Sequence, residues 1–176
     1  VAGTHTALAQ NWQLTDGAAR DVGVGADGSV WVIGTNAVQG GFGIYRRANN
    51  TWVNIPGGAE RIAVDPRGNA WVVNNTQNIF RFEGSQWVLV SGAARDVGVG
   101  ANGTVWVIGN NAEGGGYGIY RSTDQGASWT KIPGSALRIS VDPQGNAWVV
   151  NNTNNIFRFD GSKWVKDLEA TRLGEG

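Results

Sequence analysis

The chain has 176 residues, enough for one domain with a buried core or for two small domains. Basic and acidic residues each number 14, so no excess charge favours nucleic acid or an anionic membrane as a partner. The chain has no Cys and no apolar run longer than a few residues, which excludes disulfides, thiol chemistry and membrane insertion.

Glycine and tryptophan are abundant, with 28 and 9 residues, and this predicts many short strands joined by tight turns. In chain order, a polar tail over 1–10 comes first, and the segment NWQLT, 11–15, follows it with the pattern of a strand. The stretch 17–46 is then repeated by 92–121, with 24 of 30 residues identical. Because 138–163 also repeat 61–86 with 21 of 26 residues identical, the chain contains two copies of one long unit.

Each long unit is itself double, because Trp31 and Trp71 lie at matching positions of similar segments. The chain therefore holds four repeats of about forty residues, a period typical of propeller blades and of solenoids. Each repeat has four short β-forming runs separated by turn sequences such as ADGS, PRGN and EGS. Four antiparallel strands per repeat favour an all-β propeller of four four-stranded blades, built as two tandem two-blade units. The predicted blades span 20–55, 61–90, 95–132 and 138–167, and a C-terminal tail spans 168–176.

Two stretches of the chain carry the pattern W-x-x-I-P-G, R-I-x-V-D-P-x-G-N-A-W-V-V-N and N-I-F-R-F-x-G-S-x-W. This pattern resembles the tectonin repeat, and the resemblance covers 11–167. The proteins it is similar to are β-propeller lectins of the tachylectin and fish-egg-lectin kind, which bind glycans on microbial or animal surfaces. The resemblance therefore implies a propeller fold and glycan partners. The residues that carry it are Trp52, Pro56, Gly57, Ile62, Val64, Gly68, Trp71, Ile79 and Trp87, and again Trp129 through Trp164.

The segment STDQGASW, 122–129, resembles the Asp-box, a hairpin motif of sialidase-type propellers. In those families the motif is structural, so the resemblance does not imply hydrolysis. We expect Asp124 to bind the backbone amides of its own turn. The equivalent loop of the first repeat, RRANNTW, lacks the motif, so a blade does not depend on it.

The sequence shows no catalytic or metal-binding constellation, and we expect the protein not to be an enzyme. A glycosidase needs two carboxylates across the scissile bond, whereas the acidic residues here are mostly turn residues. The single histidine, His5, lies in the N-terminal tail, so no catalytic triad and no zinc ligand set can be assembled from the sequence. The glycines are dispersed over the repeats and form no phosphate-binding loop, so we expect no cofactor.

The candidate ligand site is a set of aromatic and amide residues in the loops after the second strands. All nine tryptophans recur at framework positions, whereas Phe42 and Tyr117 lie in the loops TNAVQGGFG and NNAEGGGYG. Chain direction puts these loops and the shorter loops NNTQN and NNTNN on one face, where rings and amides can bind sugars. The alternative is that the two rings only anchor their own loops. The predicted site residues are Phe42, Tyr117, Asn36, Asn111, Asn74, Asn75, Asn151 and Asn152.

The first strands of the repeats carry charges of alternating sign at one position. In chain order these residues are Asp21, Arg61, Asp96 and Arg138. We predict that they meet at the centre of the propeller, where alternating signs avoid like-charged neighbours when the number of blades is even.

The segment 11–15 matches a fourth strand, which makes five such strands for four blades. The slot that would close the ring is already filled by the strand of Trp164. An alternative function is therefore a self-assembling structural subunit, a homo-oligomer that pairs this spare strand with another copy. A further alternative is that the chain is part of a larger propeller, since propellers of the tectonin kind usually have more than four blades.

The chain starts at Val1 and contains no Met, so we expect either that a leader has been removed or that the start is an engineered one. Removal of a leader predicts an extracellular or cell-surface location.

Overall fold

The computed structural model describes residues 13–166, and within them every helix or strand assigned is a β-strand. All neighbouring strands are antiparallel and consecutive in the chain, so the predicted all-β class is confirmed. Nowhere between residues 13 and 166 is there a helix long and apolar enough to span a membrane. The strands are β1 (Ala19–Val24), β2 (Val30–Val38), β3 (Gly41–Ala48), β4 (Thr51–Ala59), β5 (Arg61–Val64), β6 (Ala70–Val73), β7 (Asn78–Glu83), β8 (Gln86–Val99), β9 (Val105–Glu113), β10 (Gly116–Ser122), β11 (Thr130–Ala136), β12 (Arg138–Val141), β13 (Ala147–Val150), β14 (Ile156–Phe159) and β15 (Trp164–Lys166).

The strands form three sheets of four, seven and four strands, which differs from the four separate sheets predicted. The difference arises at β8, which pairs with β7 up to Ala93 and with β9 from Ala94 onward. We call the segment that joins one repeat to the next a crossing. At the other two crossings a single residue outside the strands, Glu60 or Leu137, separates one sheet from the next. We number the repeats by their strands: repeat 1 is β1–β4, repeat 2 is β5–β7 with 86–93, repeat 3 is 94–99 with β9–β11, and repeat 4 is β12–β15.

The turn between the first two strands of a repeat is stabilised by its own side chains. In repeat 2, the Asp65 carboxylate accepts the backbone N–H groups of Arg67 and Asn69 at 2.8 and 2.9 Å. Gly68 completes this turn with a φ of +83°, a conformation that costs glycine little. Asp65 is therefore a turn residue, as its position before Pro66 predicts.

The core lies between successive repeats, because three apolar clusters fill the junctions between repeats 1 and 2, 2 and 3, and 3 and 4. Trp31, Trp71 and Trp106 lie in these clusters and are at most 2% exposed. Each repeat thus has a forward face, which packs on the next repeat, and a rear face, which packs on the preceding one. At the first junction the forward face includes Trp31, Ile33 and Ile44, and the rear face includes Ile62, Val64 and Val72.

A hydrogen bond from the fourth-strand tryptophan ties each repeat to the segment before it. Trp87 donates from Nε1 to the carbonyl oxygen of Pro56 at 2.8 Å. Trp52 makes the same bond to Asp16 at 2.6 Å, so Asp16 stands where the crossing from a preceding repeat would lie. The two remaining bonds of this kind join Trp129 to Ser91 and Trp164 to Pro133.

The two end faces of the array are exposed. Val22 and Val24, on the rear face of repeat 1, are 58% and 63% exposed, whereas the equivalent Ile62 and Val64 are 5% exposed. Trp148, on the forward face of repeat 4, is 36% exposed, although its three equivalents are buried. Repeats 1 and 4 therefore do not pack on each other, and the four repeats form an open array.

The predicted extra strand over 11–15 is not observed at Gln13–Thr15, which are the residues of it that the structure describes. Leu14 is 98% exposed, and none of the strands between residues 13 and 166 pairs with this segment. Asn11, Trp12 and the predicted tails 1–10 and 168–176 lie outside the described residues.

Gly57 provides a test of the tryptophan contact between repeats. Its φ is +137°, and a Cβ added there would lie 2.9 Å from Nε1 of Trp87. We expect Gly57→Ala to lower the free energy of unfolding by roughly 2–4 kcal/mol, because the backbone is strained and the indole must move.

The matched control is Gly161→Ala, where φ is also strongly positive, at +102°, and no atom lies within 4 Å of the added Cβ. It should cost about 1–2 kcal/mol, the penalty of a left-handed residue alone. Urea unfolding followed by circular dichroism measures both variants. Equal losses would show that the contact with Trp87 contributes nothing.

Candidate functional site

The loops that follow the second strands lie side by side in pairs. The backbone N–H of Asn75 in repeat 2 donates to the carbonyl oxygen of Gly40 in repeat 1 at 2.9 Å. Asn152 in repeat 4 donates in the same way to Gly115 in repeat 3 at 3.0 Å. Each short asparagine-rich loop therefore adjoins the long glycine-rich loop of the preceding repeat.

A cleft of about 540 Å³ opens on this loop face between repeats 2, 3 and 4. It brings together four of the eight predicted site residues, namely Asn74, Asn75, Tyr117 and Asn151. The segments that join the repeats contribute charged residues to the same cleft. These residues are Glu60, Arg61, Arg95 and Arg138.

The two predicted aromatic residues are each covered by an arginine. The guanidinium carbon of Arg95 lies 4.0 Å from the ring centre of Tyr117, and that of Arg20 lies 3.9 Å from the ring centre of Phe42. Both rings also pack against apolar clusters between repeats, so they have the contacts of loop anchors. Of the two, Tyr117 also lines the cleft, together with Arg95.

Two of the cleft asparagines use their side-chain oxygens to form turns. Asn74 Oδ1 accepts the backbone N–H groups of Thr76 and Asn78 at 3.1 and 2.8 Å. Its Nδ2 donors remain for a ligand, because only the oxygen takes part in this turn. The same turn is formed in repeat 4 by Asn151, Thr153 and Asn155.

The other predicted asparagines differ in how their amides are used. The hydroxyl of Tyr45 donates to Oδ1 of Asn36 at 3.0 Å, and that of Tyr120 donates to Oδ1 of Asn111 at 3.0 Å. Within residues 13–166 the side chain of Asn75 makes no hydrogen bond, so both ends of its amide are available to a ligand in the cleft. Its equivalent Asn152 donates from Nδ2 to the carbonyl oxygen of Gly114 at 3.4 Å.

A narrower cleft of about 340 Å³ runs along the first strands, and all four alternating charges line it. Asp21, Arg61, Asp96 and Arg138 therefore lie along one cleft as predicted, but they do not close into a ring, because repeats 1 and 4 do not pack on each other. Asp21 Oδ2 lies 3.9 Å from Nη1 of Arg61 and accepts the backbone N–H of Ile62 at 3.0 Å. Because Arg61 and Arg138 also line the larger cleft, the two clefts share their cationic residues.

Asp96 is the buried member of this set, with 7% of its surface exposed. Burial raises its pKa to about 6, although the hydrogen bond from the backbone of Ile139 and the charges of Arg61 and Arg138 act in the opposite direction. Asp96 is buried because repeat 2 covers it, whereas Asp21 has no repeat before it and its side chain is 25% exposed.

The turn over 122–128 is held by Asp124, as expected. Its Oδ1 accepts the N–H of Ser128 at 3.0 Å, and hydrogen bonds from Ser128 and then Ser122 lower its pKa to about 2. The turn also lies on the forward face of repeat 2, since a Cβ added to Gly126 would lie 3.2 Å from the ring of Trp71. Sequence reasoning missed this covering role, because the contact joins residues in different repeats.

Within the described part of the chain, no group of three or more His, Cys, Asp and Glu residues is placed to hold a metal ion. The cleft offers amides and guanidinium groups instead, which donate hydrogen bonds to oxygen-rich ligands.

The model of the tectonin domain family matches residues 58–120 and again residues 114–171, together more than half of the chain. The chain belongs to the tectonin family. The resemblance predicted from the tryptophan and glycine pattern is thus confirmed. None of the curated proteins matches this tectonin chain.

Solved structures share the fold of this tectonin chain. YCF48 bound to D1 peptide is 17% identical with a TM-score of 0.54, and the alignment covers 91% of this chain and 58% of that chain. A gluconolactonase from Xanthomonas campestris is 14% identical with a TM-score of 0.57, and the coverages are 82% and 60%. Aleuria aurantia lectin in complex with Fucα1-6GlcNAc is 18% identical with a TM-score of 0.52, and the coverages are 84% and 62%. The chain therefore spans 58–62% of the length of these three proteins.

The pH dependence of stability tests the burial of Asp96. An aspartate with the ordinary pKa of 3.8 loses its proton in the unfolded chain as the pH rises from about 4 to 6, whereas folded Asp96 keeps it. The free energy of unfolding should therefore fall over this range, by about 2–3 kcal/mol, since each pKa unit is worth about 1.4 kcal/mol. Asp124 and Asp160, with pKa values of about 2, act at lower pH and in the opposite direction.

The measurement is urea unfolding at pH 4 to 7 for the wild type, Asp96→Asn and the control Asp21→Asn. The free energy of unfolding of Asp96→Asn should not fall over this pH range, whereas that of Asp21→Asn should fall as in the wild type. A fall that survives in Asp96→Asn would show that another group titrates in this range.

Proposed function

We propose that this protein is a non-enzymatic lectin that binds glycans in the cleft between repeats 2, 3 and 4. The observation that carries the proposal is the convergence of Asn75, Tyr117 and three arginines in a space of about 540 Å³. Clefts of this size suit small polar ligands, and amide and guanidinium donors suit sugar hydroxyls. Membership of the tectonin family supports glycan partners, as does the fold likeness to a lectin in complex with Fucα1-6GlcNAc.

We also propose that the four repeats act as four propeller blades of four strands each. In support, β8 serves as the outer strand of repeat 2 in its first half and as the inner strand of repeat 3 in its second half. Counted in this way, every repeat has four antiparallel strands and one face for each neighbour.

The charge of the cleft favours an acidic glycan over a neutral one. Arg61, Arg95 and Arg138 line it together with one acidic residue, Glu60. Arg61 is partly balanced by Asp21, whereas Arg95 forms no ion pair within residues 13–166. Guanidinium groups bind carboxylates and similar anions with two parallel hydrogen bonds, so we expect carboxylated or sulfated sugars to bind most tightly.

A glycan array with the native protein tests this function, with neutral and acidic glycans of microbial and animal type on the same slide. Binding to acidic glycans that weakens in high salt is the expected result. An array on which the protein binds no glycan would contradict the lectin function and would favour the second candidate function described below.

The two equivalent aromatic residues provide the mutational test. Phe42 and Tyr117 both pack under an arginine and against an apolar cluster, so replacing either with Ala should lower stability by a similar amount. Tyr117→Ala should weaken glycan binding by about 0.5–2 kcal/mol, because the ring holds the Arg95 guanidinium in the cleft through a cation–π contact. Phe42→Ala should leave the affinity of the monomer unchanged, because Phe42 does not line the cleft.

Isothermal titration calorimetry at a concentration where the protein is monomeric measures both affinities, and thermal melting measures both stabilities. Unchanged affinity in Tyr117→Ala would show that the ring is only a loop anchor. Equal losses of affinity in the two variants would show that the glycan does not bind in this cleft.

The second candidate is a self-assembling structural subunit or one part of a larger propeller. The exposed end faces of the array favour it, as does Asp16, which occupies a crossing position before repeat 1. In the strand-exchange form, the spare segment 11–15 pairs with another copy. Removal of residues 1–12 should then lower the oligomeric state, and an unchanged state would contradict strand exchange.

We further propose an extracellular or cell-surface location, where glycans are presented. Surface labelling of intact cells that produce the protein tests this location. A label confined to lysed cells would contradict it.

A further inference from the structure

The exposed forward face of repeat 4 repeats a face that is buried inside the array. The segment AWVVNNTNNIFRF of repeat 4 differs at one position from AWVVNNTQNIFRF of repeat 2. In repeat 2, Trp71, Val73 and Ile79 are at most 2% exposed, because repeat 3 covers them. Their equivalents in repeat 4 are Trp148, Val150 and Ile156.

The exposed rear face of repeat 1 likewise repeats the rear face of repeat 3. The segment DVGVGADGSVWV of repeat 1 differs at two turn positions from DVGVGANGTVWV of repeat 3. Val97, Val105 and Val107 of repeat 3 are at most 4% exposed against repeat 2. Their equivalents in repeat 1 are Val22, which is 58% exposed, Val30, which is half-buried, and Val32, which is 9% exposed.

The chain thus already makes one contact between these two kinds of face, at the junction of repeats 2 and 3. We propose that the forward face of repeat 4 packs on the rear face of repeat 1 of a second copy, head to tail. The proposal does not depend on glycan binding. Within residues 13–166 no preceding repeat covers the rear face of repeat 1, and a cleft of about 620 Å³ lies there. Its lining includes the apolar residues Val22, Val32 and Trp52.

The charges along the first strands fit the same contact. Arg61 of repeat 2 and Asp96 of repeat 3 are neighbours along the cleft of the first strands. Head-to-tail packing would place Arg138 of one copy beside Asp21 of the second copy in the same relation. Asp21 would then be covered as Asp96 is, with an unlike charge beside it. The alternation of signs therefore continues across the proposed contact.

The rear face of repeat 1 has no fourth strand of a preceding repeat on it among the described residues. Asp16 accepts the hydrogen bond from Trp52 at 2.6 Å, and residues 13–15 before it form no strand.

Arg47 gives the proposed contact a feature of its own. It lies at the position of Phe82, whose ring contacts that of Trp31 at 5.3 Å between centres. In the proposed contact, Arg47 of one copy would therefore lie against Trp148 of the other copy. Guanidinium groups bind well to indole rings. In the single chain the guanidinium carbon of Arg47 lies 5.1 Å from the ring centre of Trp52, which holds the group on the same side of repeat 1.

Head-to-tail packing would also complete a second ligand cleft. The cleft between repeats 2, 3 and 4 needs the loop of repeat 2 beside Arg95 and Tyr117 of repeat 3. The loop of repeat 4 from a second copy would stand in the same relation to Arg20 and Phe42 of repeat 1. A dimer joined by one such contact would then present three clefts, whereas two separate monomers present two, which raises avidity for clustered ligands.

Sedimentation velocity over a concentration series tests the contact on the wild-type chain. We expect species of at least two chains, each of 18.6 kDa, that dissociate on dilution. A head-to-tail contact closes into a ring or continues as a filament, so larger multiples support the proposal as well. A single species of 18.6 kDa at every concentration would overturn it and would leave these faces for another segment or another protein.

A mixing experiment tests the head-to-tail geometry. Val22→Asp and Trp148→Asp each place a charge on one end face, and each should remain monomeric at concentrations where the wild type associates. An equimolar mixture should form dimers, because Trp148→Asp keeps an intact rear face and Val22→Asp keeps an intact forward face. A mixture that stays monomeric, or single variants that associate like the wild type, would overturn the proposal.

Two controls make the outcome specific. Leu89→Asp changes an apolar residue that is 63% exposed but lies on an internal repeat, so it should associate like the wild type. Removal of residues 1–12 should also leave association intact, and its loss would assign the assembly to strand exchange. Circular dichroism checks the fold of each variant, and the wild-type concentration series decides the question if a variant does not fold.

Discussion

The contact that the rest of this structure depends on is the packing of one repeat's forward face on the rear face of the next. Each repeat is an antiparallel unit of about forty residues, too small to be stable alone and apolar on both sides. The burial of Trp31, Trp71 and Trp106 at successive junctions supplies the core that a single sheet lacks. Because apolar burial contributes about 25 cal/mol per Å², each of these indoles stabilises the array by several kcal/mol.

The candidate site follows from that packing. Its residues come from the loops of repeats 2, 3 and 4 and from the crossings between them, so the cleft exists only while the junctions hold. The hydrogen bonds from the fourth-strand tryptophans fix each crossing, and the crossings carry Arg61, Arg95 and Arg138 into the cleft. A change at a junction therefore acts on ligand binding as well as on stability.

The strands, turns and alternating charges could be predicted from the sequence, because they depend on local patterns that recur in every repeat. Asp65 before Pro66 predicts a turn, and Trp31 aligned with Trp71 predicts a framework position. The arginines on Phe42 and Tyr117 were missed, since the contact joins a crossing to a loop. The signal was present, because Arg20 and Arg95 are equivalent residues just as the two rings are. The joining of two sheets through β8 depends on the pairing of a few residues near Ala94, which sequence patterns do not specify.

The open ends of the array also could not be predicted, because whether the ends meet depends on the rotation between successive repeats. Trp148 provides the most direct test of this account, since it is 36% exposed although its equivalents Trp31, Trp71 and Trp106 are buried. ¹⁹F NMR of the protein with 5-fluorotryptophan, assigned with Trp148→Phe, measures the solvent isotope shift of each ring in light and heavy water. The account predicts a shift for Trp148 in dilute solution that disappears as the concentration rises, with no shift for the three buried rings at any concentration. A Trp148 signal without a solvent shift in the dilute monomer would show that the repeats already close on themselves, and would contradict the account.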